Sequence, residues 1–173
     1  RWAELQRRSG AQAGVVVRAN WFGEAAERYI GFRRSTWPRG LEREGTKRVC
    51  DGANGEACET APHVFHEVGA EVVAIGASPD GFNINEDVGA THPGALAAAV
   101  RTHRADLGIA LDGDADRLLM TDAEGRLYNG DELLSVVVRD VVEQGKRSGV
   151  VGTFRPNLAV ENALGELGVS FAR

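Results

Sequence analysis

The chain has 173 residues, of which 43% are hydrophobic and 26% charged, the composition of an ordinary globular protein with room for one domain and part of another. With a net charge of −5, nothing in the composition suggests a nucleic-acid partner, and no apolar run is long enough to span a membrane. Cys50 and Cys58 lack the CxxC spacing of zinc and redox sites, so we expect two reduced thiols in a cytoplasmic protein.

The two ends of the sequence have the character of a fragment. The chain begins at Arg1 with neither an initiator Met nor a signal peptide, and it ends at Arg173 within a predicted strand. Residues 1–23 give no clear pattern, and we interpret them as the remnant of an upstream domain or as a linker.

Helices and strands alternate from residue 24 onward. The spacing predicts a helix over 24–36, with Ala25, Tyr29 and Phe32 on one face and Pro38 just beyond its end. The elements that follow are a strand at 47–50, a helix at 57–68, a buried strand at 71–75, a Gly- and Asn-rich loop at 76–91, a helix at 93–103 and a strand at 107–111.

A second series of elements begins after residue 111. The pattern predicts a hairpin with strands at 118–121 and 126–128, then an amphipathic helix at 131–144. The buried side of that helix is predicted to hold Leu134, Val137, Val138, Val141 and Val142. A strand at 149–154, a helix at 157–167 and a strand from 169 complete the chain, and this alternation predicts an α/β fold with a parallel or mixed sheet covered by helices.

Three aspartates alternate with small residues directly after the strand at 107–111. In an extended loop Asp112, Asp114 and Asp116 point the same way, so their carboxylates can converge on one cation. Such oxygen ligands suit Mg²⁺ or Ca²⁺, and ligands of open α/β sheets bind beyond the carboxyl ends of strands. The spacing alone is equally typical of a solvated acidic turn. An EF-hand is excluded, because its sixth and twelfth positions would be Arg117 and Ala123 instead of glycine and glutamate.

Other polar residues suggest secondary roles. A guanidinium grips phosphate oxygens bidentately, so Arg117 is a candidate phosphate contact. Asn54 and Gly55 precede the helix at 57–68, where an N-terminal cap is favoured over an anion site made of backbone amides. Asn83 and Asn85 are predicted to shape the long loop, since asparagine favours turns and left-handed conformations. The four histidines form no metal pair and are predicted to be surface or packing residues: His63, His66, His92 and His103.

Several motifs, in this order, resemble the α-D-phosphohexomutase family. Residues 108–117 (GIALDGDADR) resemble its metal loop, usually DGDGDR, with Ala115 in place of a glycine. Residues 51–55 (DGANG) followed by Ala61-Pro62 resemble its strand-to-helix turn DCANGA…AP. The stretches 81–85 (GFNIN) and 89–91 (GAT) are similar to the loop GxNIN…CGAT of one branch, the phosphoglucosamine mutases, with Val88 replacing cysteine. Residues 28–36 resemble the linker helix of that branch, and NGD at 129–131 and VGT at 151–153 match later family motifs, although 154–156 (FRP) depart from the pattern.

The resemblance implies a three-layer α/β/α domain with a mixed sheet at 24–125, followed at 126–173 by the beginning of a second, similar α/β domain. It implies that Asp112, Asp114 and Asp116 bind Mg²⁺ and that Arg117 is the catalytic residue in this chain, as a contact to the active-site phosphate. The family interconverts hexose 6-phosphates and hexose 1-phosphates through a phosphoserine and a bisphosphate intermediate. The serine motif, TASHNP-like in the family, and the sugar-reading loop, GEnSGH-like, are absent from this sequence.

The similarity to one branch implies a phosphorylated hexosamine substrate, with glucosamine 6-phosphate converted to glucosamine 1-phosphate. The implied partners are the remaining domains of the same enzyme, with no nucleic acid and no membrane, and a homodimer is left open. A phosphomannomutase or phosphoglucomutase of the same family stays open as an alternative. So does a non-catalytic metal-binding module from a truncated gene, which the missing serine favours for the isolated chain.

Overall fold

The computed structural model describes residues 24–38, 45–145, 149–152 and 158–172. The segment 1–23, interpreted above as a remnant or linker, lies outside the described residues. In chain order the described elements are α1 (Ala25–Ser35), β1 (Lys47–Asp51), α2 (Thr60–Glu67), β2 (Glu71–Ile75), α3 (Pro93–His103), β3 (Leu107–Leu111), β4 (Leu118–Asp122), β5 (Leu127–Tyr128), α4 (Gly130–Glu143), β6 (Val150–Val151), α5 (Leu158–Glu166) and β7 (Phe171–Ala172).

A five-stranded mixed sheet organises the first part of the chain. Its order is β2-β1-β3-β4-β5, with β1 parallel to β2 and β3, and with β4 antiparallel to both β3 and β5. The change of direction occurs between β3 and β4, whose pairing ends at Leu111 opposite Leu118. The six residues 112–117 therefore close a hairpin between two hydrogen-bonded strands.

Helices cover this sheet on both faces. On one face, α3 supplies the fully buried Leu96 and Val100, which pack with Val49 of β1 and Ala110 of β3. On the other face, α2 places the Phe65 ring over the buried Arg48, with the guanidinium carbon 5.4 Å from the ring centroid. Since alternate residues of a strand point to opposite faces, these contacts confirm the predicted α/β fold with helices on both sides of a mixed sheet.

One prediction of burial in this region is wrong. The strand at 71–75 was expected to be buried, but β2 is an edge strand in which Glu71 and Ala74 are exposed. Helix α1 packs against α2, and the apolar face predicted for it stays largely open, with Tyr29 and Phe32 54% and 60% exposed. A pattern of apolar residues predicts an element and its apolar face but does not say how completely a neighbour covers that face.

A smaller unit follows the first sheet. The parallel strands β6 and β7 pair Val150 with Phe171, and Val138 of α4 packs with Val160 and Leu164 of α5 in a separate buried cluster. Asn129 and Glu132 begin α4 with a reciprocal capping box, each side chain accepting a backbone N–H of the other residue.

Two details of this unit concern predictions made from the sequence. Val137 was predicted on the buried side of its helix but is 59% exposed, and it lines an open groove together with Leu118 of β4. The boundary predicted at residue 125 precedes β5, which pairs with β4 of the first sheet, so the exact domain boundary stays a prediction. None of the described helices combines the length and apolar character needed to cross a membrane.

Candidate metal centre

The three aspartates of the 112–117 loop come together as predicted, although the loop is a turn and not the extended segment on which the prediction was based. One carboxylate oxygen from each of Asp112, Asp114 and Asp116 lies within 4.8 Å of the others. Asp112 is buried, with 1% of its surface exposed, whereas Asp114 and Asp116 are open to solvent. One ligand is thus fixed within the protein, and the other two face outward.

A tight turn produces this convergence. The Ala115 amide donates to the Asp112 carbonyl at 3.0 Å, and Ala115 has φ +58°, in the left-handed region. That region favours glycine because a Cβ approaches the following carbonyl oxygen. The structure therefore gives a physical reason for the glycine usual in the phosphohexomutase motif, and Ala115 holds the same backbone shape with a Cβ present.

Arg117 binds the buried aspartate with its main chain and its side chain. Its amide donates to Asp112 Oδ1 at 3.0 Å, and its Nε donates to Asp112 Oδ2 at 2.6 Å. The same Nε lies 3.6 Å from Asp116 Oδ1. The outer Nη groups of Arg117 have no hydrogen-bond partner among the described residues, and 63% of the side chain is exposed. The guanidinium is anchored at one end and free to bind an anion at the other.

The charges of the loop perturb one another. Burial acts to raise the pKa of Asp112, but the amide and guanidinium of Arg117 outweigh it, and the pKa is lowered. The pKa of Asp116 is raised, chiefly by the negative charges of Asp114 and Asp112. Like charges held this close favour either a proton or a bound cation.

The donor set fits a hard divalent cation. Three carboxylate oxygens within 4.8 Å of one another are ligands of the kind that Mg²⁺ takes in proteins. Each carboxylate oxygen has two lone pairs, so Asp112 can bind a cation while still accepting hydrogen bonds from Arg117. Asp112, Asp114 and Asp116 are therefore the residues of the described chain that can hold Mg²⁺.

Two neighbouring loops brace the metal loop at Gly113. The Glu56 amide donates to the Gly113 carbonyl at 2.9 Å, and a Cβ on Gly55 would lie 2.2 Å from that oxygen. On the other side, the Ile84 and Asn85 side chains lie so close to Gly113 that a Cβ there would overlap both. The motif turn at 51–55 and the long loop at 76–91, separate in sequence, thus meet at the metal loop.

Asp51 connects these two bracing loops and was not singled out by the sequence analysis. It is completely buried at the end of β1, where Oδ1 accepts the Ala53 amide at 3.0 Å and Oδ2 accepts the Gly89 amide at 2.7 Å. Burial raises its pKa, against the opposing effect of the two N–H donors. Its sequence signals were its place as the first residue of the motif at 51–55 and its position at the end of a predicted strand.

Asn54 does not have the predicted role of a helix cap. Helix α2 begins at Thr60, and the Asn54 side chain instead accepts the Ser78 amide at 3.0 Å and donates to the Asn83 carbonyl at 3.3 Å. The backbone amides of Asn54 and Gly55 are bonded to Gly76 and Gly52, so they are not available to an anion either. Asn54 joins the turn to the long loop.

The remaining polar residues follow the predictions. Asn85 has φ +59°, and the Asn83 side chain bonds to Ser78 and Asp80 within the long loop, so both shape that loop. All four histidines are exposed: His63, His66, His92 and His103. Among the described residues, the aspartate loop is the one group of three or more acidic, histidine or cysteine side chains that could hold a metal ion.

Comparison with protein families identifies the domain that carries this loop. Residues 29–125 match the model described as phosphoglucomutase/phosphomannomutase, alpha/beta/alpha domain II, which covers more than half of the chain. The chain belongs to the phosphoglucomutase/phosphomannomutase family.

Curated members of this family are closely similar in sequence. The chain is 59% identical over 164 residues to a phosphoglucosamine mutase of Paraburkholderia phytofirmans, covering 94% of this chain and 36% of that protein. It is 59% identical over 173 residues to a phosphoglucosamine mutase of Polynucleobacter asymbioticus, covering 99% of this chain and 39% of that protein. The chain therefore spans less than two-fifths of the length of these relatives.

Solved structures of phosphoglucomutase/phosphomannomutase family members share the fold. A family protein from Burkholderia thailandensis superposes with a TM-score of 0.73 at 24% identity, over 85% of this chain and 32% of its own. A putative phosphomannomutase from Thermus thermophilus gives a TM-score of 0.71 at 19% identity, over 85% of this chain and 35% of its own. At these identities the likeness concerns the fold.

Proposed function

We propose that this chain is the Mg²⁺-binding part of a phosphoglucosamine mutase, which converts glucosamine 6-phosphate to glucosamine 1-phosphate. The observation that carries the proposal is the convergence of Asp112, Asp114 and Asp116 beside Arg117 in a chain 59% identical to proteins of that name. The phosphoserine and the sugar-binding residues implied by the family belong to parts of the enzyme outside this sequence. The isolated chain is expected to be inactive and to bind Mg²⁺ weakly, because it lacks the phosphate ligand.

The residues of the metal loop have two separate roles, which are binding of the metal ion by the aspartates and binding of phosphate by Arg117. Asp112, Asp114 and Asp116 would hold the Mg²⁺ ion, which when bound supplies positive charge that stabilises a transferring phosphoryl group. Asp112 also positions Arg117 through its two hydrogen bonds. The free Nη groups of Arg117 are then available to bind phosphate oxygens bidentately.

Three further features belong to this proposal. The first domain extends over 24–125, and 126–173 begin the next one. The enzyme is cytoplasmic, in keeping with the two free cysteines in the structure, since reducing compartments keep thiols unpaired. The substrate is a phosphorylated hexosamine, supported by the names of the relatives.

The metal site can be tested on this chain by calorimetry with MgCl₂. Wild type is expected to bind with a millimolar-range dissociation constant, and Asp114→Asn is expected to abolish the heat of binding because a ligand charge is lost. Asp106→Asn is the control, since it removes the same charge from an exposed residue at the far end of the sheet, outside the metal loop and the two bracing loops. Tight binding that persists in Asp114→Asn would contradict the assignment of the ligands.

The activity is tested on the full-length enzyme. A coupled assay compares glucosamine 6-phosphate with mannose and glucose 6-phosphates, and a preference for the amino sugar supports the proposal. A preference for mannose or glucose phosphate would favour the phosphomannomutase or phosphoglucomutase alternative. If the gene encodes no more than this chain, the non-catalytic metal-binding module is the correct interpretation.

A further inference from the structure

The metal loop itself makes few contacts with the core. Asp114, Ala115, Asp116 and Arg117 are all exposed, and within this loop only Asp112 and Gly113 are buried. The loop is held at its base by the pairing of Leu111 with Leu118 and at Gly113 by the two bracing loops. The position of the carboxylates therefore depends on how firmly those loops are held.

The bracing loops are fixed to each other by one side chain. Asp51 accepts the amide of Ala53, which lies in the motif turn, and the amide of Gly89, which lies 38 residues later at the end of the long loop. Next to these bonds, the Asn85 amide donates to the Ala53 carbonyl at 2.9 Å, and the Ala90 amide donates to the Leu111 carbonyl at 2.8 Å. The contacts run from Asp51 through both loops to the last residue of β3 and to Gly113.

We propose that Asp51 is a positioning residue of the metal centre, which holds the two bracing loops together and thereby fixes Gly113 and the aspartates on either side of it. This inference rests on the proposed function, because it concerns the same metal site. Asp51 has no place among the ligands and acts only through the loops it joins.

The geometry at Gly89 explains why an aspartate is needed. Gly89 has φ +80°, and a Cβ there would lie 2.5 Å from the Ala53 Cβ and 2.8 Å from the Leu111 carbonyl oxygen. The two loops and β3 are thus in backbone contact, and the buried amides of Ala53 and Gly89 both need an acceptor. A carboxylate offers two acceptor oxygens, whereas the amide of asparagine offers one and would point its NH₂ group at the other N–H.

The decisive variant is Asp51→Asn, measured by NMR titration of the amides of the metal loop with MgCl₂. We expect the dissociation constant to rise about tenfold, the size typical when a residue that orients metal ligands is changed. Asp106→Asn is the matched control, because exposed Asp106 also accepts a backbone amide, from Lys47, at the opposite end of the sheet. This control removes the same charge and is expected to change the constant less than twofold, since solvent screens it.

A second measurement does not depend on the metal. Without MgCl₂, hydrogen exchange of the Ala115 and Arg117 amides is expected to be faster in Asp51→Asn than in wild type, with that of Thr121 in β4 unchanged. Equal protection of the loop in both proteins, or an unchanged dissociation constant in folded Asp51→Asn, would overturn the positioning role. If wild type shows no Mg²⁺ response at all, the proposed metal site fails, and the exchange rates still decide the role of Asp51.

A further variant, Asn85→Gly, tests the same contact path in case Asp51→Asn does not fold. Asn85→Gly removes the side chain that packs on Gly113 and keeps a residue able to adopt φ +59°. It is expected to raise the dissociation constant as well, and the double variant with Asp51→Asn should show less than the product of the two effects, since both act through one contact path. Fully multiplicative effects would contradict a shared path.

Discussion

Replacing alanine by glycine tests the geometry of the metal loop. The replacement is expected to keep or raise the free energy of unfolding at residue 115 and to lower it at a control position in a helix, Ala98. Ala115 lies in the left-handed region, where an L-residue costs about 1–2 kcal/mol relative to the right-handed region. Replacing it with glycine removes that cost but adds about 0.4–1 kcal/mol of chain entropy in the unfolded state. Ala115→Gly should therefore leave the free energy of unfolding unchanged or raise it by about 1 kcal/mol.

Ala98 provides the control for this substitution. It is exposed in the middle of α3, where helical backbone suits alanine, so Ala98→Gly should lower the free energy of unfolding by about 0.5–1 kcal/mol. The two variants are compared by urea unfolding in EDTA, followed by circular dichroism, so that bound metal makes no contribution. Their difference is expected to be about 0.5–2 kcal/mol in favour of Ala115→Gly.

An equal loss of stability in both variants would refute the left-handed conformation at residue 115. The calorimetric titration adds a second criterion. Glycine adopts the same backbone conformation, so Ala115→Gly should bind Mg²⁺ with an affinity close to that of wild type. A complete loss of binding would mean that the Ala115 side chain itself shapes the site, which the open position of this residue does not suggest.

Three other predictions follow from buried and charged groups. Burial raises the pKa of Cys50 to about 12, so a thiol reagent at mild pH should label half-buried Cys58 in the native protein and Cys50 only after unfolding, as counted by mass spectrometry. Because the folded-state pKa of Asp112 is below its unfolded value of about 3.9, its bond to Arg117 stabilises the fold above that pH and is lost as the pH falls through the lowered pKa. Wild type should thus be more stable than Arg117→Ala at pH 7, and urea unfolding at decreasing pH should show the difference vanish; a constant difference would contradict the pairing. The buried Thr121 hydroxyl has no partner among the described residues, so Thr121→Val should raise the free energy of unfolding by about 1 kcal/mol, and a loss in thermal unfolding would indicate a bond to a water or to a residue outside them.

Local sequence signals predicted the elements that carry the site. The bounds of β2, α3 and β3 agree with those expected at 71–75, 93–103 and 107–111. Pro93 marks the start of α3, and the β-branched and apolar runs mark the strands, so each boundary is encoded within a few residues. The convergence of the three aspartates was predicted from their spacing in an extended loop, but in the structure a turn at Ala115 produces it.

Features that depend on contacts far apart in sequence were not predictable in this way. The role of Asp51 arises from a bond to Gly89, and nothing near either residue indicates the other. Asn54 was interpreted from its place before a helix, but α2 begins only at Thr60, and the side chain finds partners in the long loop. The exposure of Tyr29, Phe32 and Val137 depends on which elements cover them, and periodicity does not contain that information.

The closed base of the metal loop has a consequence for how this segment can change. Leu111 and Leu118 are paired, and a shift of β4 by one residue would turn its buried Thr121 toward the opposite face of the sheet. Insertions and deletions within 112–117 therefore cannot be relieved by sliding the strand and must distort the aspartates directly. The loop can therefore vary by substitution, as at Ala115, but not by a change of length. Additional residues are best accommodated at the far end of β4, where Ala123 and Glu124 are exposed in a turn. An inserted peptide tag or reporter belongs in that turn.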